Sequence, residues 1–179
     1  ILKTINRITK IVLGLRKLSR EGHDDPMEPV RLRDIIEDAT SVCSESLYHV
    51  GIDLRIIIPE DPCSCVCRPL QISQVLLNLI QNAKDAIQEL EKKWIEIEVR
   101  VKNDFYLILV KDSGQITDPE ILEKIGQPFF TTKPPGKGTG LGLSVSRKIL
   151  NAHGGSIDID KEASCTTFVM QLPRKVQTS

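Results

Sequence analysis

The sequence predicts an α+β fold: a two-layer α/β sandwich, a mixed sheet with its helices on one face, preceded by one separate helix. Three observations predict it. Stretches whose apolar residues recur every three to four positions are interleaved with stretches of strict alternation. The later alternating stretches come in close pairs, as hairpins do. The chain has 179 residues, enough for one well-buried domain and an appendage but tight for two domains.

In chain order, Ile1, Ile5, Ile8, Val12 and Leu15 form a heptad seam, with Lys3, Arg7, Lys10, Arg16 and Lys17 interspersed. This predicts a bundle helix over residues 1–20. Gly22, Asp24, Asp25, Pro26 and Pro29 break it and mark a linker over 21–29. The main domain is then predicted over 30–173, with a tail at 174–179. Leu32, Ile35, Ile36, Ala39, Val42 and Leu47 give a helix ending near Gly51, and Asp53 to Ile58 reads as a strand. The strongest helical stretch runs from Leu70 to about Leu90, burying Ile72, Val75, Leu76, Leu79, Ile80, Ala83 and Ile87. Trp94 to Val101 and Phe105 to Val110 form a hairpin about Lys102, Asn103 and Asp104. A short helix over Pro119 to Ile125, a glycine-rich loop from Gln127 to Gly140 and a helix from about Leu141 to Ala152 follow. Strands over Ser156 to Ile159 and Thr166 to Leu172 close the domain.

Composition narrows the function. Lys plus Arg number 24 and so do Asp plus Glu, so no domain-wide basic field exists to hold a nucleic acid. No apolar run approaches the roughly 20 residues of a bilayer span; the best, Val75 to Ile80, is interrupted by Asn78. The absence of an initial methionine leads us to expect a piece of a longer protein, without membrane contact of its own. Of the five cysteines, three stand as Cys63-Ser-Cys65-Val-Cys67. Alternate strand residues share a face, so these thiols either converge on a soft metal or pack as small apolar groups under a helix; packing is the expectation.

Two features carry chemistry. Asn78 and Asn82 lie four apart on one side of the long helix. Buried amides need partners, which either a core network or a ligand supplies. Gly136-Lys-Gly138-Thr-Gly140-Leu-Gly142 then leads into a helix whose free N–H groups and positive dipole end suit an anion. Phe129 and Phe130 are expected to anchor this loop, with Thr131, Thr132 and Lys133 directly after them. The pattern is not a P-loop, because Lys137 precedes Gly138. It is not the dinucleotide fingerprint either, whose third glycine would fall on Leu143.

The string from Gln74 to Ile87, with Asn78, Asn82 and Asp85, resembles the N box of sensor histidine kinases. Asp112-Ser-Gly114 resembles the start of their first glycine box, Pro128-Phe-Phe-Thr-Thr-Lys133 their F box, and Gly138-Thr-Gly140-Leu-Gly142-Leu143 their second glycine box. The resemblance covers about Val30 to Pro173 and is greatest to the nitrogen-regulation type. The first helix resembles the second helix of the dimerising stalk.

This resemblance implies the Bergerat fold, with a mostly antiparallel sheet, and a catalytic domain that binds ATP and magnesium. It implies transfer of the terminal phosphoryl group to a histidine on a stalk helix outside this sequence, for relay to a response regulator. Asn78, Asn82 and Lys133 are the implied catalytic residues, with Asn82 on the magnesium. The implied nucleotide contacts are Asn82, Asp85, Asp112, Gly114, Phe129, Thr132, Lys133, Gly138, Thr139, Gly140, Leu141, Gly142 and Thr166. Asp112 would accept the adenine amino proton and Thr166 make a second adenine contact through water. Gly138, Gly140 and Leu141 would offer backbone N–H groups to the phosphates, and Lys133 would hold the terminal one. A homodimer, a receiver-domain partner and a cytoplasmic location follow from the same family.

Three departures stand out. Ile116 replaces the second glycine of the first glycine box, and Cys165 a glycine before Thr166. Were φ positive at Ile116, a β-branched residue would cost about 1–2 kcal/mol. The acceptor histidine is also missing: His23 is followed by Pro26, while His49 and His153 stand at helix ends, in capping positions. The competing functions are a nucleotide sensor that has lost catalysis and an ATPase of the same superfamily. The ATPases use a glutamate general base where this chain has Asn78.

Overall fold

In the computed structural model, residues 26–60, 63–134 and 138–174 are described. The predicted stalk helix, most of the linker, His23 and all but the first residue of the predicted tail lie outside them. The elements are β1 (Glu28–Arg31), α1 (Leu32–Tyr48), β2 (Asp53–Ile57), β3 (Ser64–Cys67), α2 (Pro69–Ala86), β4 (Trp94–Lys102), β5 (Phe105–Asp112), α3 (Pro119–Lys124), α4 (Gly142–Ala152), β6 (Ser156–Ile159) and β7 (Thr167–Pro173).

Five strands make the main sheet in the order β2-β4-β5-β7-β6. Only β2 runs parallel to its neighbour, with Ile56 opposite Ile97; the other pairings are antiparallel. The β4–β5 hairpin closes with Lys102 opposite Phe105, and Asn103 takes φ 53° in the turn, a conformation asparagine tolerates better than most residues. Alternation then puts Ile95, Ile97, Val99, Ile108, Val110, Met170 and Leu172 into the core. The buried stripe of α2, from Ile72 through Val75, Leu76, Leu79, Ile80 and Ala83, belongs to the same core, as do Leu32, Ile35, Ile36, Ala39 and Leu47 of α1. On the opposite face of the sheet Lys111 bridges Glu96 and Glu98. The two-layer α+β sandwich is therefore as predicted.

Three details differ from the sequence reading. Glu28 and Pro29, placed in the linker, belong to β1, which pairs antiparallel with β3 as a separate two-stranded ribbon. Proline disguised this strand, but β1 has a partner on one side alone, where a proline can face away from the ladder. The long helix ends at Ala86 and not near Leu90: fully buried Ile87 is its C-cap, and a turn follows in which the Leu90 N–H donates to the Ile87 carbonyl at 3.0 Å. Strand β5 runs two residues past Val110 to Asp112.

Cys63, Cys65 and Cys67 are all buried in the core cluster. The Cys65 thiol lies 3.6 Å from the Cys67 sulfur; that contact first, and then burial, push it far above the ordinary thiol range. The thiols thus pack as small apolar side chains.

Candidate functional site

The polar residues of α2 flank its buried stripe, so they emerge where α2 meets α4 and the loop before it. The Asn78 amide donates to the Ser146 hydroxyl at 3.0 Å, and Ser146 is buried on α4. A Cβ on Gly142 would fall on the Asn78 amide, so glycine there lets the N-terminus of α4 close on α2. One turn further along, Lys133 Nζ lies 2.5 Å from Asp85 Oδ2 and 3.4 Å from Asn82 Oδ1. The second Asp85 oxygen accepts from Gln81 at 2.7 Å.

Asp112 ends β5 and is 2 % exposed. Its backbone N–H donates to the Thr166 carbonyl at 3.0 Å, and the Thr166 N–H donates to the Gly114 carbonyl at 2.8 Å, joining the first glycine segment to the start of β7. Asp112 Oδ1 accepts from the Gly114 N–H at 2.8 Å; among the described residues nothing donates to Oδ2. Burial pushes the carboxyl up to about 6, against the lowering effect of the Gly114 N–H. A Cβ on Gly114 would lie 2.8 Å from that carboxylate and 3.4 Å from Ile87, so glycine keeps the space beside the acid open.

The loop is anchored differently from the sequence expectation. The Phe129 ring is 63 % exposed and anchors nothing; its backbone does, through a 2.9 Å hydrogen bond from its N–H to the Gly140 carbonyl. Phe129 takes φ 68° and Gly140 φ 65°, and any Cβ on Gly140 would collide with the Phe129 backbone. Phe130 is half-buried. A Cβ on Gly138 would lie 2.5 Å from Thr131 Oγ1 and 3.2 Å from the Lys133 Cβ, so glycine there leaves room for the Lys133 stem. The Leu141 N–H points at Thr139 Oγ1, 3.4 Å away. Among the described residues the N–H groups of Gly138, Gly140 and Gly142 find no acceptor. Thr132 is exposed and makes no hydrogen bond there, so it is not drawn into the site.

Ile116 and Cys165 both have negative φ, so neither departure stores backbone strain. His153 caps α4: its Nδ1 donates to the Ile149 carbonyl at 2.8 Å and its Nε2 accepts from the Arg68 N–H at 3.0 Å. His49 caps α1, exposed beside Glu45. Two neighbours of the site were missed: Ser146, a polar residue on the buried side of an amphipathic helix, and Ile87. The first left a signal in the helical period, being four residues beyond Gly142.

Together these groups present a buried acceptor with an open lone pair, a row of free backbone donors at a helix start, and an ammonium held by the Asp85 carboxylate and the Asn82 amide. Asn78 offers no base, since an amide cannot take up a proton at neutral pH.

Residues 67–176 match the family described as histidine kinase-, DNA gyrase B- and HSP90-like ATPases. The catalytic domain of histidine kinase ThkA, solved free of nucleotide, superposes with a TM-score of 0.74 at 31% identity, over 84% of this chain and 99% of that one. The chain therefore belongs to this ATPase family, among the histidine kinase catalytic domains. It is 35% identical over 173 residues to the sensor histidine kinase ZraS of Salmonella typhimurium, covering 96% of this chain and 36% of the relative. To the C4-dicarboxylate transport sensor protein DctB of Rhizobium meliloti it is 29% identical over 168 residues, 94% of this chain and 27% of the relative. The chain thus spans about a third of these relatives' length. ThkA has also been solved in complex with the response regulator protein TrrA, and that structure matches with a TM-score of 0.75 at 27% identity, over 96% of this chain and 48% of that one. Among the described residues no helix is long and apolar enough to cross a membrane.

Proposed function

We propose that this domain binds ATP with magnesium and presents the terminal phosphoryl group to a histidine on a stalk helix. The observation that carries this reading is the buried Asp112 carboxylate, whose Oδ2 has no donor within the described chain. A buried acceptor left open costs about 1–3 kcal/mol, which an amino group on a ligand removes. Adenine supplies such a donor; guanine would put a carbonyl there.

The anionic end fits equally well. Gly138, Gly140 and Gly142 hold unpartnered N–H groups at the start of α4, where phosphates are favoured, and Leu141 can turn its N–H from the long contact with Thr139. Asn82 Oδ1 and Asp85 already face a cation, the Lys133 ammonium, so the donor set suits a hard ion such as magnesium. When bound, magnesium supplies charge neutralisation at the phosphates. Lys133 moves from Asp85 to the terminal phosphate, Asn78 orients the helix pair through Ser146, and Thr166 stands beside the adenine corner. Positioning and electrostatics of this kind are most of what phosphoryl transfer needs. The whole protein is proposed to act as a cytoplasmic homodimer relaying phosphate to a receiver domain, within the nitrogen-regulation-like subgroup.

Equilibrium titration with ATP and GTP, each with and without magnesium chloride, tests the binding. Magnesium-dependent ATP binding that exceeds GTP binding at least tenfold is expected. Incubation with terminally labelled ATP should leave the 179-residue chain unlabelled, because His49 and His153 are held at helix ends. Extending the chain upstream by a histidine-bearing stalk helix should give acid-labile, alkali-stable label. Absence of ATP binding, or label on this chain that is lost in His23→Ala, would overturn the proposal.

A further inference from the structure

The acid on the binding side of α2 calls for a reason. A carboxylate beside a phosphate site repels the ligand it is meant to help hold, yet Asp85 sits one turn from Asn82 and opens towards the loop. Its two oxygens are both engaged: Gln81, four residues back on the same helix, fixes Oδ1 at 2.7 Å, and Lys133 comes across 48 positions of sequence to Oδ2 at 2.5 Å. The ammonium also reaches Asn82 Oδ1 at 3.4 Å. Lys133 and Asp85 are 28% and 32% exposed, so the pair lies half out of water. The backbone around Lys133 is tied in as well: its N–H donates to Thr131 Oγ1 at 3.2 Å, and at Gly138 a Cβ would crowd both Thr131 and the Lys133 stem.

We propose that Asp85 is a positioning and specificity residue. Together with Gln81 it docks Lys133 on α2 before any nucleotide arrives, and it makes the site reject nucleotide that lacks its divalent cation. The proposal rests on the nucleotide-binding reading above. The ammonium neutralises Asp85 and holds the segment Pro128 to Lys133 against Asn82. An incoming triphosphate competes for Lys133, and once it has taken the ammonium Asp85 is left as an uncompensated negative charge beside the phosphates. A cation arriving with the nucleotide would compensate Asp85 directly or through its water shell; without one, the repulsion between the bare carboxylate and the phosphates should cost at least about tenfold in affinity. Asp85 thus sets the order of charge exchange: ammonium first, metal-bound phosphate second.

Two measurements test this, and the first needs no nucleotide. In the free protein, Asp85→Asn should raise amide exchange at Phe129, Phe130 and Lys133 about tenfold while Ile72 to Ala83 of α2 stay protected. Lys133→Ala should raise it equally, with no further increase in the double variant. The charge-reversed pair Asp85→Lys with Lys133→Asp should restore protection. Unchanged loop exchange in both folded single variants, or additive effects in the double variant, would overturn the docking role. The second measurement is the ratio of ATP affinities with magnesium and with chelator present. Asp85→Asn should shrink that ratio about tenfold, chiefly by tightening metal-free binding, and Asp85→Glu should keep it. An unchanged ratio in Asp85→Asn refutes the specificity role. If the wild-type chain binds no ATP at all, the function proposed above fails while the exchange result still decides the docking.

Discussion

Replacing Asp112 by Asn should stabilise the free protein and at the same time spoil the site. Burial lifts the carboxyl from 3.8 to about 6 in the folded chain, a gap of about two units, or about 3 kcal/mol between the protonated and ionised forms. The sign follows from the direction. The folded state holds this proton more tightly than the unfolded chain does, so the contribution is fully present below about pH 4, falls as pH rises to about 6, and stays lost above. Asp112→Asn removes the titration. The bond from the Gly114 N–H to the ionised acid is already contained in that gap, and below about pH 6 the wild-type acceptor is neutral as the amide is. The variant should therefore be about 3 kcal/mol more stable than wild type at pH 7.5 and within about 1 kcal/mol of it at pH 4. Urea unfolding of both proteins at these two pH values gives the numbers. ATP affinity should fall about tenfold or more, and preference over GTP should narrow, since an amide can also donate to a carbonyl. A stability difference independent of pH would refute the cost assigned to the buried charge; unaltered ATP and GTP affinities would refute the role in adenine recognition.

Two further substitutions probe the glycine positions. Gly142→Ala places a methyl group on the Asn78 amide, so the bond to Ser146 should break; a loss of about 1–3 kcal/mol on unfolding is expected, with weaker ATP binding. A variant as stable as wild type would show that α2 and α4 are not held by that contact. Ile116→Gly should lose a few tenths to about 1 kcal/mol through unfolded-chain entropy, because Ile116 has no positive φ to relieve. A gain in both stability and ATP affinity would contradict this.

Legibility in the sequence followed the strength of the periodic signal. The helix around Leu76 and the hairpin around Asn103 were readable because each repeats one period over many residues, and α4 was readable from its glycines. Strand β1 was not, since a four-residue segment containing Pro29 offers no period and its partner β3 lies more than thirty positions later. The parallel pairing of β2 with β4 is equally unreadable, because pairing direction depends on where α2 returns the chain. Within the site, Asn78, Asn82, Asp112 and the glycines were recoverable as residue types in a fixed order. The Lys133–Asp85 contact was not, because it spans a loop whose path no local rule dictates. The exposed Phe129 ring misled for a related reason: aromatic residues are usually buried, and here the backbone makes the anchor.

The imidazole of His153 has a geometric consequence. It joins the first turn of α2, through the Arg68 N–H, to the last turn of α4, through the Ile149 carbonyl, whereas the nucleotide-facing groups lie at the other ends of both helices. A rotation of one helix against the other about this ring, as a fulcrum, would therefore have its largest effect at those far ends. Asn78 is about ten residues from that fulcrum, an arm of about 15 Å at the helical rise. Each degree of rotation about the ring opens or closes the gap between Asn78 and Gly142 by about 0.3 Å over that arm. The ring thus ties the two helices together at the ends remote from Asn82 and Gly142.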